Sequence, residues 1–206
     1  MTGSTTETFR KALEASLLEF GLERPAETAL SALTAHYSLM IEWNQRTNLT
    51  RITEPVQAAR FHYAESLCGS RFINNGESVL DIGSGAGFPG LPLAICRSDI
   101  SVTALESNQK KARFLEEAKN RIQIANFTVI QKRLEEFDWT SFDALICRAL
   151  DRAEKQLPKV IKRLSEGQRI VIYCGADLAE KISKLHPRFQ THRIPQSTNR
   201  LIAIVG

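Results

Sequence analysis

A chain of 206 residues, 43% hydrophobic and 24% charged, is long enough for one well-buried domain with a small addition and is too apolar for a disordered or fibrous protein. No basic start leads into an apolar run, and no segment approaches the ~20 apolar residues of a membrane span, so a soluble, cytoplasmic protein is expected. The net charge of +4 is unevenly placed: residues 1 to 76 hold seven Lys/Arg against eight Asp/Glu, so the basic excess lies wholly downstream, as an acidic polymer partner would require and as a solvated surface would also permit.

The first 76 residues read as helices. Phe9, Leu13, Leu17 and Phe20 recur at helical spacing and stop at Gly21, and after Pro25 a second stretch carries Leu30, Leu33, Tyr37, Met40 and Ile41 on one face. A third helix is predicted to start at Pro55 and to bury Val56, Ala59, Tyr63 and Leu67. Asn48-Leu49-Thr50 is formally a glycosylation sequon, but without a secretory signal it would not meet the modifying machinery.

From residue 77 the pattern changes. The runs SVLDIG, SVTALE, FTVIQ, FDALICR and QRIVIYC alternate with helical segments, which predicts β-α-β units around a buried parallel sheet. RFQTHRI and RLIAIV are separated by only five residues, too few for a parallel crossover, so an antiparallel hairpin is expected at the sheet edge. Cys68, Cys96, Cys147 and Cys174 show no Cys-x-x-Cys spacing and read as buried small hydrophobes, so no metal site is expected.

The chemistry concentrates in VLDIGSGAGFPGLPLAI, residues 79 to 95. Gly85-Ala86-Gly87-Phe88-Pro89-Gly90 matches the dinucleotide fingerprint, but the strand runs out earlier, at Asp81-Ile82-Gly83. The turn is better read as Asp81-x-Gly83-x-Gly85-x-Gly87, with Pro89 starting a helix. A carboxylate at Asp81 would repel a pyrophosphate, yet it could accept hydrogen bonds from an ammonium group or from the turn amides. S-adenosylmethionine, with its ammonium and sulfonium, fits such a turn; a tight turn with no ligand is the alternative. Glu106, at the end of the second strand, suits a ribose diol, although dinucleotide enzymes place an acid similarly and a carboxylate there could also cap the helix near Asn108. The antiparallel terminal hairpin favours a methyltransferase sheet over a dehydrogenase.

These residues, with Trp43-Asn44 and Asn48-Leu49-Thr50, resemble the ribosomal RNA small subunit methyltransferase G family, also called glucose-inhibited division protein B. Asp81 to Gly90, DIGSGAGFPG, is close to the family signature. His62 to Leu67 is similar to His-x-x-Asp-Ser-Leu with Glu65 in place of Asp, Glu106 to Lys111 to Asp-Ser-Leu-x-Lys-Arg, Arg133 to Glu136 to Arg-Ala-Glu-Glu, and Cys147-Arg148-Ala149 to Ser-Arg-Ala. The resemblance implies an α/β class I, Rossmann-like methyltransferase domain at 77–206. Its sheet would be seven-stranded, mostly parallel with an antiparallel terminal strand, behind an N-terminal helical extension at 1–76. It further implies transfer of a methyl group from S-adenosylmethionine to N7 of a guanine in the decoding-region loop of 16S rRNA, by a monomer acting on that RNA or on the small ribosomal subunit. Gly83 and Phe88 would line the methionine and sulfonium, Leu134 and Glu135 would flank the adenine, and Arg148 would complete the site, with Asp81, Gly85 and Glu106 as read above.

Guanine N7 is an exposed acceptor that needs no proton removed, so no catalytic dyad is required and positioning, with Arg148 as candidate, would suffice. His62, Arg133, Arg152, Lys155 and Lys159, with Lys162 and Arg163, are the candidate RNA contacts. Methylation of another RNA, a protein or a small molecule would keep every cofactor argument. A non-catalytic RNA-binding module on the same scaffold is disfavoured by the intact Asp81, glycine turn and Glu106.

Overall fold

The computed structural model describes residues 3–148 and 153–206. Seven strands, β1 (Ser78–Ile82), β2 (Ser101–Leu105), β3 (Phe127–Ile130), β4 (Ala144–Arg148), β5 (Arg169–Gly175), β6 (Phe189–Arg193) and β7 (Arg200–Val205), form one sheet in the order β3-β2-β1-β4-β5-β7-β6. β1 to β5 pair in parallel, and β7 runs antiparallel to both β5 and β6. Every expected strand is present, and the terminal hairpin closes on β5 as its short loop required. The chain moves outward from β1 to β3, then restarts at β4 on the other side of β1. The β1/β4 boundary is therefore the topological switch point, where α/β sheets open a crevice at the carboxyl ends of the strands.

The period-two alternation divides the core. Val79, Ala144, Ile146, Val171 and Tyr173 face one side, where α1 (Gly3–Glu19), α2 (Glu27–Asn44), α5 (Gly90–Cys96) and α6 (Gln109–Ile122) contribute to the same hydrophobic cluster. Leu80, Ile82, Leu145, Cys147 and Ile172 face the other, beneath α7 (Ala153–Ile161) and α8 (Ala176–Ser183). Burial of Phe9, Leu13, Leu17, Leu30, Leu33, Tyr37 and Met40 follows the helical stripes read from the sequence. These side chains share one continuous core with the sheet.

The third helical segment differs from its expectation. α3 (Pro55–Ala58) begins at Pro55, with Glu54 accepting from the Val56 and Gln57 amides, and passes into a π-helical turn (Ala59–Ala64) before α4 (Glu65–Cys68). Val56 is 49% exposed rather than buried, because the buried face begins at Ala58 and the π turn rotates it toward His62, Tyr63 and Ser66. Pro89 does not open a helical run itself: it follows a cis peptide bond, and α5 starts at Gly90. Cys68 and Cys147 are buried, but Cys96 and Cys174 are only partly so, and all four are free thiols.

Candidate active site

Asp81 is the penultimate residue of β1 and points to the face covered by α5. It is fully buried: Oδ2 accepts from Ser84 Oγ at 2.6 Å and from the Gly90 amide at 3.0 Å, while Oδ1 has no partner among the described residues. Burial raises its pKa to about 6, against the opposing pull of Ser84, Gly90 and Arg148. An unpartnered buried carboxylate oxygen is costly unless a donor completes it. The turn beyond it has Gly83 at φ 69°, Gly85 at 60° and Gly87 at 90°, a backbone path that side chains resist. A Cβ on Gly85 would meet only the Gly83 carbonyl at 3.8 Å, so this side of the turn is open; a Cβ on Gly90 would lie 2.6 Å from Asp81 Oδ2.

Glu106 immediately follows β2 at the same sheet edge. Its Oε2 accepts from the Gly85 amide at 2.9 Å and its Oε1 from the Asn108 amide at 2.8 Å, so it ties the glycine turn to the start of α6. Asn108 itself caps that helix, accepting from Lys110 and Lys111. Glu106 is thus both a turn anchor and, with its remaining lone pairs, a carboxylate at the tip of the second strand. Leu134 and Glu135 lie in a short 3-10 turn (Leu134–Glu136) past the end of β3, Leu134 half-buried and Glu135 exposed. Asp81, Gly83, Gly85 and Glu106 converge on the carboxyl ends of β1 and β2, and the Leu134 turn follows the next strand outward.

Arg148 ends β4 and reaches across to the π turn. Its guanidinium donates to the Phe61 carbonyl at 2.8 Å and to His62 Nδ1 at 3.0 Å, and its carbon lies 5.0 Å from the Phe88 ring centroid. Arginine can only donate, so His62 Nδ1 must be unprotonated and Nε2–H is directed to Thr50 Oγ1 at 2.8 Å. Burial and the neighbouring Arg148 lower the His62 pKa to about 3, which keeps the ring neutral. Thr50 belongs to a loop pinned by Asn44, whose side chain accepts from the Leu49 and Thr50 amides and donates to the Thr50 carbonyl. The Asn48-Leu49-Thr50 segment therefore acts as a brace for His62.

Phe88 is only 5% exposed. Its ring stacks on His62 at 4.6 Å and meets Tyr63 at 5.0 Å and His36 at 5.3 Å, both edge-on. It locks the glycine turn against the N-terminal helices, and so places the turn relative to Arg148. Of the expected RNA contacts, His62 is buried with both ring nitrogens engaged and serves as a brace instead, whereas Arg133, Lys155 and Lys159 are exposed, as are Lys162 and Arg163; Arg152 and Ala149 lie outside the described residues. α7 runs from the carboxyl end of β4 toward the start of β5, so Lys155 is nearest the site and Lys162 roughly 10 Å farther along the axis.

A sequence model of rRNA small subunit methyltransferase G matches residues 29–202. This chain belongs to the rRNA small subunit methyltransferase G family. Proteins of that name from Methylobacillus flagellatus, 41% identical over 138 residues and 66% of each chain, and from Chromohalobacter salexigens, 35% identical over 85% of this chain and 83% of that one, are among its relatives. Solved structures agree on the fold: an S-adenosylmethionine-dependent O-methyltransferase from Thermotoga maritima superposes with a TM-score of 0.58 at 18% identity over 80% of this chain and 70% of that one, and a ribosomal protein L11 methylase from Lactobacillus delbrueckii with 0.55 at 15% over 70% and 78%. The chain has the class I methyltransferase fold of these structures, and it is a methyltransferase that uses S-adenosylmethionine.

Two residues at the crevice, Tyr173 and Arg200, carry no motif. Tyr173, on β5, donates to the Ser66 carbonyl at 2.5 Å and would clash with any side chain at Gly69. Glu65 is buried beneath Arg200 of β7, at 2.9 Å, and Arg200 lies 4.1 Å over the Phe61 ring. Of this group only Glu65 is marked in the sequence, as the residue in place of Asp in the segment similar to His-x-x-Asp-Ser-Leu.

Proposed function

We propose that this chain transfers the methyl group of S-adenosylmethionine to N7 of a guanine in small-subunit rRNA, in its decoding-region loop, acting as a cytoplasmic monomer on the RNA or on the small ribosomal subunit. The observation that carries the cofactor assignment is Oδ1 of buried Asp81, without a partner among the described residues, beside a glycine turn whose Gly85 side is open. Family membership supports the rRNA substrate. S-adenosylmethionine supplies, when bound, an electrophilic methyl on a cationic sulfur.

In this reading Asp81 accepts from the ammonium of the donor, directly or through the turn. Gly83 and Gly85 permit close backbone approach to the methionine segment, and Phe88 holds that turn in place. Glu106 receives the ribose hydroxyls, and Leu134 and Glu135 flank the adenine. Arg148, braced by Phe61 and His62, fixes the wall between the donor and the substrate crevice. The reacting N7 is already unprotonated: its lone pair forms the new N–C bond as the C–S bond breaks and the sulfur leaves neutral. No side chain needs to remove a proton first, so what the chain contributes is alignment and exclusion of water. Arg133, Lys155 and Lys159 would hold phosphates, with Arg152 as a further candidate by sequence.

The test is transfer of tritiated methyl from S-adenosylmethionine to small ribosomal subunits and to naked rRNA, with mapping of the labelled nucleotide. Label in 7-methylguanosine is expected. Label on an exocyclic amine, a ribose or a protein would overturn the assignment.

A further inference from the structure

A cavity of about 440 Å³ opens at the carboxyl ends of β4 and β5, walled by Phe61, Glu65, Arg148, Tyr173, Leu157 and Arg200. Its size falls in the range of small-molecule sites, and its lining is apolar apart from a few convergent polar groups. It shares Arg148 with the site at the end of β1, so a group seated in it lies beside that site. Within it one arrangement stands out: the Arg200 guanidinium lies over Phe61 at 4.1 Å while donating to buried Glu65 at 2.9 Å. A planar cation lies over an aromatic ring and is held by a carboxylate.

We infer that this cavity is the pocket for the target guanine, that Glu65 reads its N1–H and N2–H donors, and that Arg200 occupies the pocket as a guanine mimic until the base displaces it. The inference rests on the proposed guanine-methylating function and names the group that selects the base. The N1–C2–N2 edge of guanine is itself a guanidine fragment: planar, stackable on Phe61 and carrying two donors for one carboxylate. Adenine offers at that edge an acceptor at N1, which a carboxylate repels. The N1/N2 edge lies across the purine from N7, so a base gripped by Glu65 turns N7 away from it, toward the Arg148 wall. The positive charge that reaches the purine as N7 gains its methyl is then met by a carboxylate hydrogen-bonded to N1–H, an interaction stronger in the transition state than before it.

Two further facts fit. Glu65 is 4% exposed, so its buried carboxylate oxygens need another donor to stay paired whenever Arg200 withdraws. The Arg200 side chain is 41% exposed, so it can leave toward the pocket rim, where a phosphate of the entering strand is a ready partner.

The experiment compares methyl transfer to small-subunit rRNA carrying guanine or inosine at the mapped position. Inosine keeps N7 and N1–H and lacks only the N2 amino group. The native chain is expected to prefer guanine by at least about tenfold in kcat/KM, the usual effect of one hydrogen bond to a charged group. In Glu65→Gln, whose amide offers one acceptor instead of two, the guanine-to-inosine ratio should collapse toward one, with S-adenosylmethionine affinity by calorimetry unchanged. Equal rates on guanine and inosine by the native chain, a measurement that needs no variant, would overturn the pocket assignment, as would a Glu65→Gln protein that keeps the native ratio. Methylation of the rRNA alongside either result leaves the proposed function standing; absence of any transfer to rRNA removes both.

Discussion

Arg148 donates to His62 Nδ1 at 3.0 Å across 86 residues of sequence, and the same guanidinium donates to the Phe61 carbonyl at 2.8 Å. The end of a central strand is thereby fastened to the π turn of the N-terminal helices. Both bonds use the planar fork, which lysine lacks. Arg148→Lys should therefore behave like Arg148→Met, each losing about 1.5–3 kcal/mol in urea unfolding as bonds to a charged donor disappear. Nitrogen NMR of the His62 ring offers a sharper readout. The native protein should show the Nε2–H tautomer alone, and either variant should show a mixture.

Asp81→Asn keeps the acceptor needed by Ser84 Oγ and the Gly90 amide but puts an amide nitrogen where Oδ1 now stands unpartnered. A cationic ligand then meets donors in place of a carboxylate, and S-adenosylmethionine affinity by calorimetry should fall by about 10- to 100-fold. Native affinity should also fall as pH drops below about 6, where Asp81 takes up its proton. The folded-state pKa lies above the usual aspartate value, so the folded protein binds this proton more tightly than the unfolded chain. Asp81 accordingly makes the ligand-free protein less stable as pH rises from about 4 to about 6, a trend that Asp81→Asn should remove. A buried carboxylate held at a cost to the ligand-free protein fits the role proposed for Asp81, receiving a cation.

The strands and the glycine turn were readable because their signals are local: apolar runs of sheet length, and glycines at positions that demand positive φ. Asp81 and Glu106 followed from their places at strand ends. The π turn was not readable, since one extra residue per turn leaves no mark on an apolar stripe, and the helical period carried Val56 inward where the structure leaves it half-exposed. Tyr173 and Arg200 escaped for another reason, and so did the partner of Glu65, which the resemblance marks only as a motif position. Their meaning lies in contacts between the N-terminal helices and β5 or β7, more than 100 residues apart, and no spacing rule reaches across a tertiary fold. Arg148 was placed at the crevice by its strand, but its bond to His62 belongs to that same class of contact.

His36 is fully buried among Tyr63, Phe88 and Phe114, with Nδ1 2.8 Å from the Tyr63 hydroxyl. Burial lowers its pKa to about 3. Its folded pKa lies below the ordinary value of 6.5, so its stabilising contribution is complete above pH 6.5 and is lost as pH falls from there toward 3. Between pH 7 and pH 4.5 the loss from this one residue is on the order of 2–3 kcal/mol. His36→Phe carries a fixed penalty for the abandoned Tyr63 hydroxyl, but its unfolding free energy should decline less steeply over that interval. Parallel pH dependences for the two proteins would show that His36 does not titrate on unfolding.

Lys155 and Lys162 are both exposed and differ mainly in distance from the carboxyl edge of the sheet. If rRNA approaches that edge, Lys155→Ala should weaken rRNA binding and lower the slope of log affinity against log salt by about one unit, the signature of one lost phosphate contact. Lys162→Ala should leave that slope unchanged. Filter binding across a salt series measures both.

Gly85 and Gly90 separate the two roles of the glycine turn. Gly85→Ala faces open space but must hold φ at 60°, which costs about 1–2 kcal/mol for a residue with a Cβ. The protein should fold with that modest loss, while S-adenosylmethionine binding weakens because the methyl occupies the open side of the cradle. Gly90→Ala has an ordinary φ, yet its methyl would sit 2.6 Å from Asp81 Oδ2 and 2.9 Å from Asp81 Cβ, neither of which can move within a buried strand. It should cost more stability than Gly85→Ala and displace the carboxylate as well, so that binding fails even in the fraction that folds. Thermal unfolding with and without S-adenosylmethionine distinguishes them: Gly85→Ala should start near the native Tm and gain little from ligand, and Gly90→Ala should start well below it. The reverse order would mean that the turn tolerates a side chain against Asp81, and that Asp81 is not fixed by the close approach of α5.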